Sequence, residues 1–182
     1  MDELVLQAMA KWPNVPDCYG WLGLDARGDW FMRDDRVQAA GSFDSGAPGS
    51  KGAVLRHDKL MAFIARNYAV DDRGCWFFQN GPQRVFVELA AAPLVWRVYP
   101  DGAIEDHCHR LDACVLCCVD EDGHLYLQGA RGFGLVHTQD VGVAAELIER
   151  GRWQPEKVLR MQLPGQFGFV RSPLAIAASM GP

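Results

Sequence analysis

Apolar residues along this chain fall mostly into short runs broken by polar turns, and three stretches carry a helical period. Residues 2–11 place Leu4, Val5, Ala8 and Met9 on one side. Trp12-Pro13-Asn14-Val15-Pro16 ends that helix, because proline cannot continue the hydrogen-bond ladder. Residues 55–68 form the strongest amphipathic pattern, with Leu55, Leu60, Met61, Phe63 and Ile64 together and Arg56, Asp58, Lys59 and Arg66 mostly elsewhere. Asp140 predicts the start of a third helix over 141–150, with Val143, Ala144, Leu147 and Ile148 inward. The short runs predict strands at 20–24, 30–32, 76–78, 85–89, 94–98, 113–119, 124–128, 135–137, 158–163 and 167–170. Residues 41–52, rich in Gly and Ser, read as a flexible loop, and the tail after Pro173 as a short helix.

One turn recurs. Asp25-Ala26-Arg27-Gly28, Asp71-Asp72-Arg73-Gly74 and Asp120-Glu121-Asp122-Gly123 each stand between apolar runs. Asp accepts hydrogen bonds from turn backbone, and Gly reaches positive φ without a Cβ penalty. The repeat therefore describes hairpins. Short strands joined by tight turns, without βαβ alternation, predict an α+β fold. The spacing of the turns predicts two related lobes of mainly antiparallel strands, each packed with a helix, over residues 1–98 and 99–182.

Composition narrows the function. Hydrophobic residues at 49% and charged residues at 23% exclude wholesale disorder. A net charge of −5 argues against broad nucleic-acid binding. No apolar run has the length of a membrane-spanning helix, and the acidic start does not read as an export signal. The six cysteines are then expected to be reduced thiols in a cytoplasmic protein.

Several patterns carry donor types suited to chemistry. His107-Cys108-His109 with Cys114, Cys117 and Cys118 has the donor types of a zinc site. Yet Cys114-Val115-Leu116-Cys117-Cys118 has a strand's composition, and residues three apart on a strand face opposite ways. Core packing is the stronger reading there, with a metal-dependent enzyme as the alternative. Gly46 to Gly52 lacks the Walker spacing, but it feeds a helix beside Lys51 and Arg56, where an anion is favoured. Trp76, with Arg73 and Arg97, offers an aromatic surface and guanidinium groups of the kind that hold a base and a phosphate.

The stretch from Leu24 to Val98 also resembles a bacterial family known as domain of unknown function 1285, or a sister of it. The shared layout is Gly28-Asp29-Trp30, then Gly52, Arg56 and Leu60, then Asp71 to Phe77, then Val85-Phe86-Val87-Glu88 leading to Ala92-Pro93-Leu94-Val95. Val170-Arg171-Ser172 echoes the family's end, while the loop 41–50 and the cysteine-rich strand 114–118 depart from it. The resemblance implies a two-lobed α+β protein with a cleft between its lobes. It further implies binding of a small ligand of nucleotide-like character in signalling, and it carries over no catalytic residues.

Together these readings predict non-catalytic binding of a small anionic or nucleotide-like ligand in an interlobe cleft. Lys51, Arg56, Arg73 and Arg97 are the expected contacts and Trp76 the stacking surface. No cofactor is called for. A protein-interaction module, pairing through a strand edge or forming a homo-oligomer, is the further alternative.

Overall fold

A computed structural model describes residues 1–179. The protein is α+β, with two mostly antiparallel sheets, each packed with helices. Two compact units result. One comprises Met1–Asp25, Asp29–Ala90 and the closing segment from Val170, and the other Ala26–Gly28 and Ala91–Phe169.

The first unit opens with α1 (Glu3–Lys11), followed by β1 (Cys18–Leu24), β2 (Trp30–Met32), α2 (Asp35–Ala39), β3 (Ala53–Val54), α3 (Asp58–Arg66), β4 (Tyr68–Val70), β5 (Trp76–Asn80) and β6 (Gln83–Leu89). Its sheet runs β3-β2-β1-β6-β5-β4, two antiparallel ribbons joined by parallel pairing of β1 with β6. The second unit holds β7 (Leu94–Val98), β8 (Ala103–Asp106), β9 (Leu111–Ala113), β10 (Leu116–Val119), β11 (Leu125–Gly129) and β12 (Gly132–Val136). It continues with α4 (Val141–Glu149), β13 (Pro155–Lys157) and α5 (Leu163–Phe167). Its sheet runs β13-β10-β11-β12-β7-β8-β9, again two ribbons joined by a parallel pair, β7 with β12. Apart from the added β13, the strand order is the same in both units, which is how the lobes are related. α6 (Pro173–Ser179) then packs on β1 and β6.

The expected division at 98/99 falls instead at Ala90/Ala91. The reason is pairing: Leu94, Val95 and Trp96 register with Gly134, Leu135 and Val136, so β7 belongs to the second sheet. The expected strand 113–119 is broken at Cys114-Val115, and its halves β9 and β10 lie in different ribbons. The expected strands 158–163 and 167–170 are replaced by a 3₁₀ turn at Arg160–Gln162 and by α5. Pro164 sits in the first turn of α5, where its missing N–H costs nothing. The second helix starts at Asp58 rather than Leu55, because His57 caps it by accepting the Leu60 N–H at 3.2 Å. Leu55 instead donates its N–H to Trp30 O at 2.8 Å, alongside β2.

The loop 41–50 is pinned. Arg33, 1% exposed, donates to the carbonyls of Ser50 (3.0 Å), Gly20 (3.2 Å) and Gly41 (2.7 Å). Phe43 is buried against Gly23, where a Cβ would meet its ring at 2.5 Å. Only glycine permits that approach.

Among the described residues the Asp turn occurs four times. Asp25, Asp71, Asp106 and Asp120 each donate their N–H to the carbonyl four residues on, at 3.0, 3.0, 3.1 and 3.1 Å. Each carboxylate accepts the N–H of that same residue, at 3.0, 2.9, 3.1 and 2.8 Å. Gly28, Gly74 and Gly123 supply the positive φ in three of them, and His109, at φ +61°, in the fourth.

No described helix is long and apolar enough to cross a membrane.

Candidate functional site

A cavity of about 580 Å³ in the first unit lies among the end of α1, the linker 13–17 and the β5–β6 hairpin. Each wall follows from local sequence. Pro13 and Pro16 forbid helix beyond α1 and send the chain out as an extended linker. Gln83 Nε2 then holds that linker to β6 by donating to Pro16 O at 3.0 Å. Gln79 on β5 and Arg84 on β6 are directly paired across the hairpin, so both side chains leave the sheet on one face. Met9, Trp12, Val15 and Pro82 complete the apolar lining, with Asn14 and Asp17 as its polar rim.

Two polar groups at this site have uncommon surroundings. Gln79 is 1% exposed, and its Nε2 donates to Gly81 O at 2.9 Å. That bond fixes the amide orientation and leaves the buried Oε1 with no donor among the described residues. A buried acceptor without a partner costs about 1–3 kcal/mol. Arg84 lays its guanidinium over the Phe77 ring at 5.0 Å, and among the described residues it forms no ion pair. Trp12 is half exposed, with the Lys11 ammonium over its ring at 4.5 Å.

The residues singled out from sequence sit elsewhere. Lys51 pairs with Asp25 at 2.9 Å and lies over the Phe31 ring at 4.4 Å. Arg56 is exposed, without a hydrogen bond or ion pair among the described residues. Arg73 pairs with Asp71 of its own turn at 2.8 Å, and that bond, with one to Tyr19, raises its pKa. Trp76 is buried beside Tyr68, ring centroids 4.8 Å apart. Arg97 belongs to the second unit, where it donates to both oxygens of Asp140, which raises its own pKa and lowers that of the carboxyl. Three of the four cations thus already hold carboxylates.

The His/Cys stretch forms a turn and a strand. His107 Nδ1 accepts the Val95 N–H at 3.3 Å, and burial, with Arg110 and His109 nearby, pushes its pKa down to about 3. His109 Nδ1 lies 2.8 Å from Glu105 Oε1 at the surface. Burial raises all six thiols above their ordinary value, Cys114 to about 11 and Cys108 and Cys117 to about 12. Thiols held protonated in this way are poor nucleophiles at neutral pH. Among the described residues, the group of three metal-type donors within 4.8 Å of one another is Asp120, Asp122 and His124, outside that stretch. Its members are engaged: Asp120 accepts from Tyr126 Oη at 3.1 Å, and Asp122 accepts from Arg160 at 3.1 Å.

The cavity was missed from sequence because its residues come from three separated segments. The one local signal was Trp12 followed by two prolines, an aromatic side chain left at a helix end with no strand to bury it.

The model of the DUF2944 family, described as a protein of unknown function (DUF2946), matches residues 1–174. The chain belongs to this family. Two solved structures are similar to it. A DUF1285 family protein from Shewanella baltica OS155 is 18% identical with a TM-score of 0.42, over 69% of this chain and 91% of that one. A DUF1285 family protein from Silicibacter pomeroyi DSS-3 is 13% identical with a TM-score of 0.48, over 81% of this chain and 85% of that one. Both carry the family number to which the turn and strand motifs pointed. A search of curated proteins gave no match.

Proposed function

We propose that this protein binds a small ligand bearing an anionic group, without catalysis, in the cavity between α1, the linker 13–17 and the β5–β6 hairpin. The observation that carries this reading is the pairing of Gln79 and Arg84. Among the described residues one is a buried acceptor lacking a donor and the other a guanidinium lacking an acid, and they are neighbours on the wall of one cavity. A cavity of about 580 Å³ is within the range of small-molecule sites, and apolar walls with few converging polar groups are their usual lining. Arg84 supplies the anion contact and Gln79 Oε1 accepts an N–H or O–H of the ligand. Trp12 supplies a flat apolar wall. On this reading the protein is a sensor or carrier of the ligand.

A thermal-shift screen with carboxylates, phosphorylated metabolites and nucleotides tests it. Ligand at a hundredfold over its dissociation constant adds about 2.7 kcal/mol. For a chain of this size that raises the midpoint by roughly 5–10 °C. Arg84→Gln should abolish the shift while leaving the midpoint of the free protein in place. A panel with no shift, or equal shifts in both proteins, overturns the reading.

A further inference from the structure

Resting on that reading, we infer that the ligand is a zwitterion of the α-amino acid or short-peptide class, one carboxylate and one ammonium on an apolar body. The charges lining the cavity carry this inference. They are one cation, Arg84, and one anion, Asp17, so the lining is electrically balanced. The two form no ion pair with each other, and among the described residues neither is paired with any other group. Each is left to meet an opposite charge from outside.

A nucleotide fits this lining less well. Its phosphates bring two or more negative charges, which a single guanidinium does not neutralise and which Asp17 repels. The further cation nearby, Lys11, has its ammonium over the Trp12 ring. A planar guanidinium backed by the Phe77 ring offers the forked edge that a single carboxylate takes in two hydrogen bonds. Gln79 Oε1 accepts but cannot donate, so it takes an ammonium, amide or hydroxyl hydrogen and disfavours a second anionic oxygen. Met9, Trp12, Pro13, Val15 and Pro82 leave an apolar chain or ring as the favoured body.

Calorimetry on the full chain with leucine, phenylalanine and the dipeptide Leu-Leu, beside their N-acetyl and C-amide forms and AMP, separates the possibilities. We expect the free zwitterions to bind, and either blocked form to bind at least tenfold more weakly. Asp17→Asn should weaken zwitterion binding about tenfold and leave the N-acetyl forms unchanged, while Arg84→Gln weakens both. Arg84-dependent binding of AMP that Asp17→Asn strengthens would overturn the zwitterion and keep the anion site. Zwitterion binding indifferent to Asp17 would also overturn it. Absence of binding by every probe, with no response to Arg84 in the wider screen, overturns both.

Discussion

His109 donates its N–H to the Asp106 carbonyl at 2.8 Å and sits at φ +61°, the place that glycine fills in the three sister turns. The cost of a left-handed residue with a Cβ is roughly 1–2 kcal/mol, least for residues that bond locally. His109→Gly removes that cost but adds chain freedom to the unfolded state of about 0.5–1 kcal/mol. The substitution should therefore leave stability within about 0.5 kcal/mol. His109→Val, β-branched in the same conformation, should lose about 1–2 kcal/mol. Urea midpoints of the two variants check this, and equal effects would mean the turn does not require the left-handed residue.

Arg33 should be the costliest surface-to-core residue to remove in the first unit. Its guanidinium satisfies three backbone carbonyls and holds the loop 41–50 on the β1–β2 hairpin. Burial lowers its pKa, with Glu88 acting the other way. Arg33→Met strands those carbonyls, at a cost of at least about 3 kcal/mol. Limited proteolysis should then cut within 41–50 before the rest of the chain, whereas the wild-type loop resists.

His107 sets an acid limb. Its folded pKa is about 3 against an ordinary 6.5, so the folded protein keeps it neutral. Below pH 6.5 the unfolded chain takes up a proton that the folded chain does not. Stability from this residue is therefore fully present above about pH 6.5 and is lost progressively as pH falls toward 3. The carboxyls of Asp120 and Asp140 have lowered pKa values, so the stability they contribute is lost only at the acid end of this range and below it, outside the window between pH 7 and 4.5. Denaturation between pH 7 and 4.5 should show a falling midpoint in the wild type and a flatter one in His107→Gln. Parallel curves would remove His107 from the account.

Gln79→Met should raise the melting temperature while removing ligand binding. The substitution deletes a buried acceptor that has no donor among the described residues and keeps the side-chain volume; it also removes the Nε2 bond to Gly81 O, but Gly81 is only half-buried, so water can replace that donor. A gain of about 1 kcal/mol corresponds to roughly 2–4 °C. A loss of that size would show Gln79 to be structural.

The repeated Asp turns were legible in the sequence where glycine stood at the fourth place, at Asp25, Asp71 and Asp120. The turn at Asp106 was not, because His109 replaces the glycine and the surrounding His-Cys-His spelling suggested metal chemistry. β5, β6, β7 and α4 were legible from period, but the expected cap at Asp140 was not borne out: its carboxylate accepts from Arg97 and from the Val98 N–H at 3.1 Å instead of closing the helix start. α5 was not, since Leu163 to Phe169 is apolar without clear alternation, and a short apolar run fits strand and helix alike. The loop 41–50 looked mobile by composition, and its anchoring by Arg33 depends on a side chain from another segment.

What the sequence determined alone was local: the Asp turns, the helix stops at proline, and the runs whose period assigns strand or helix. These depend on dihedral preferences and on burial of one face, both set within a few residues. The tertiary structure decided which strands pair, and hence that β7 joins the second sheet and that Gln79 stands beside Arg84 on a cavity wall. Register and the packing of distant segments are settled by contacts between residues far apart in the chain, which no local pattern contains.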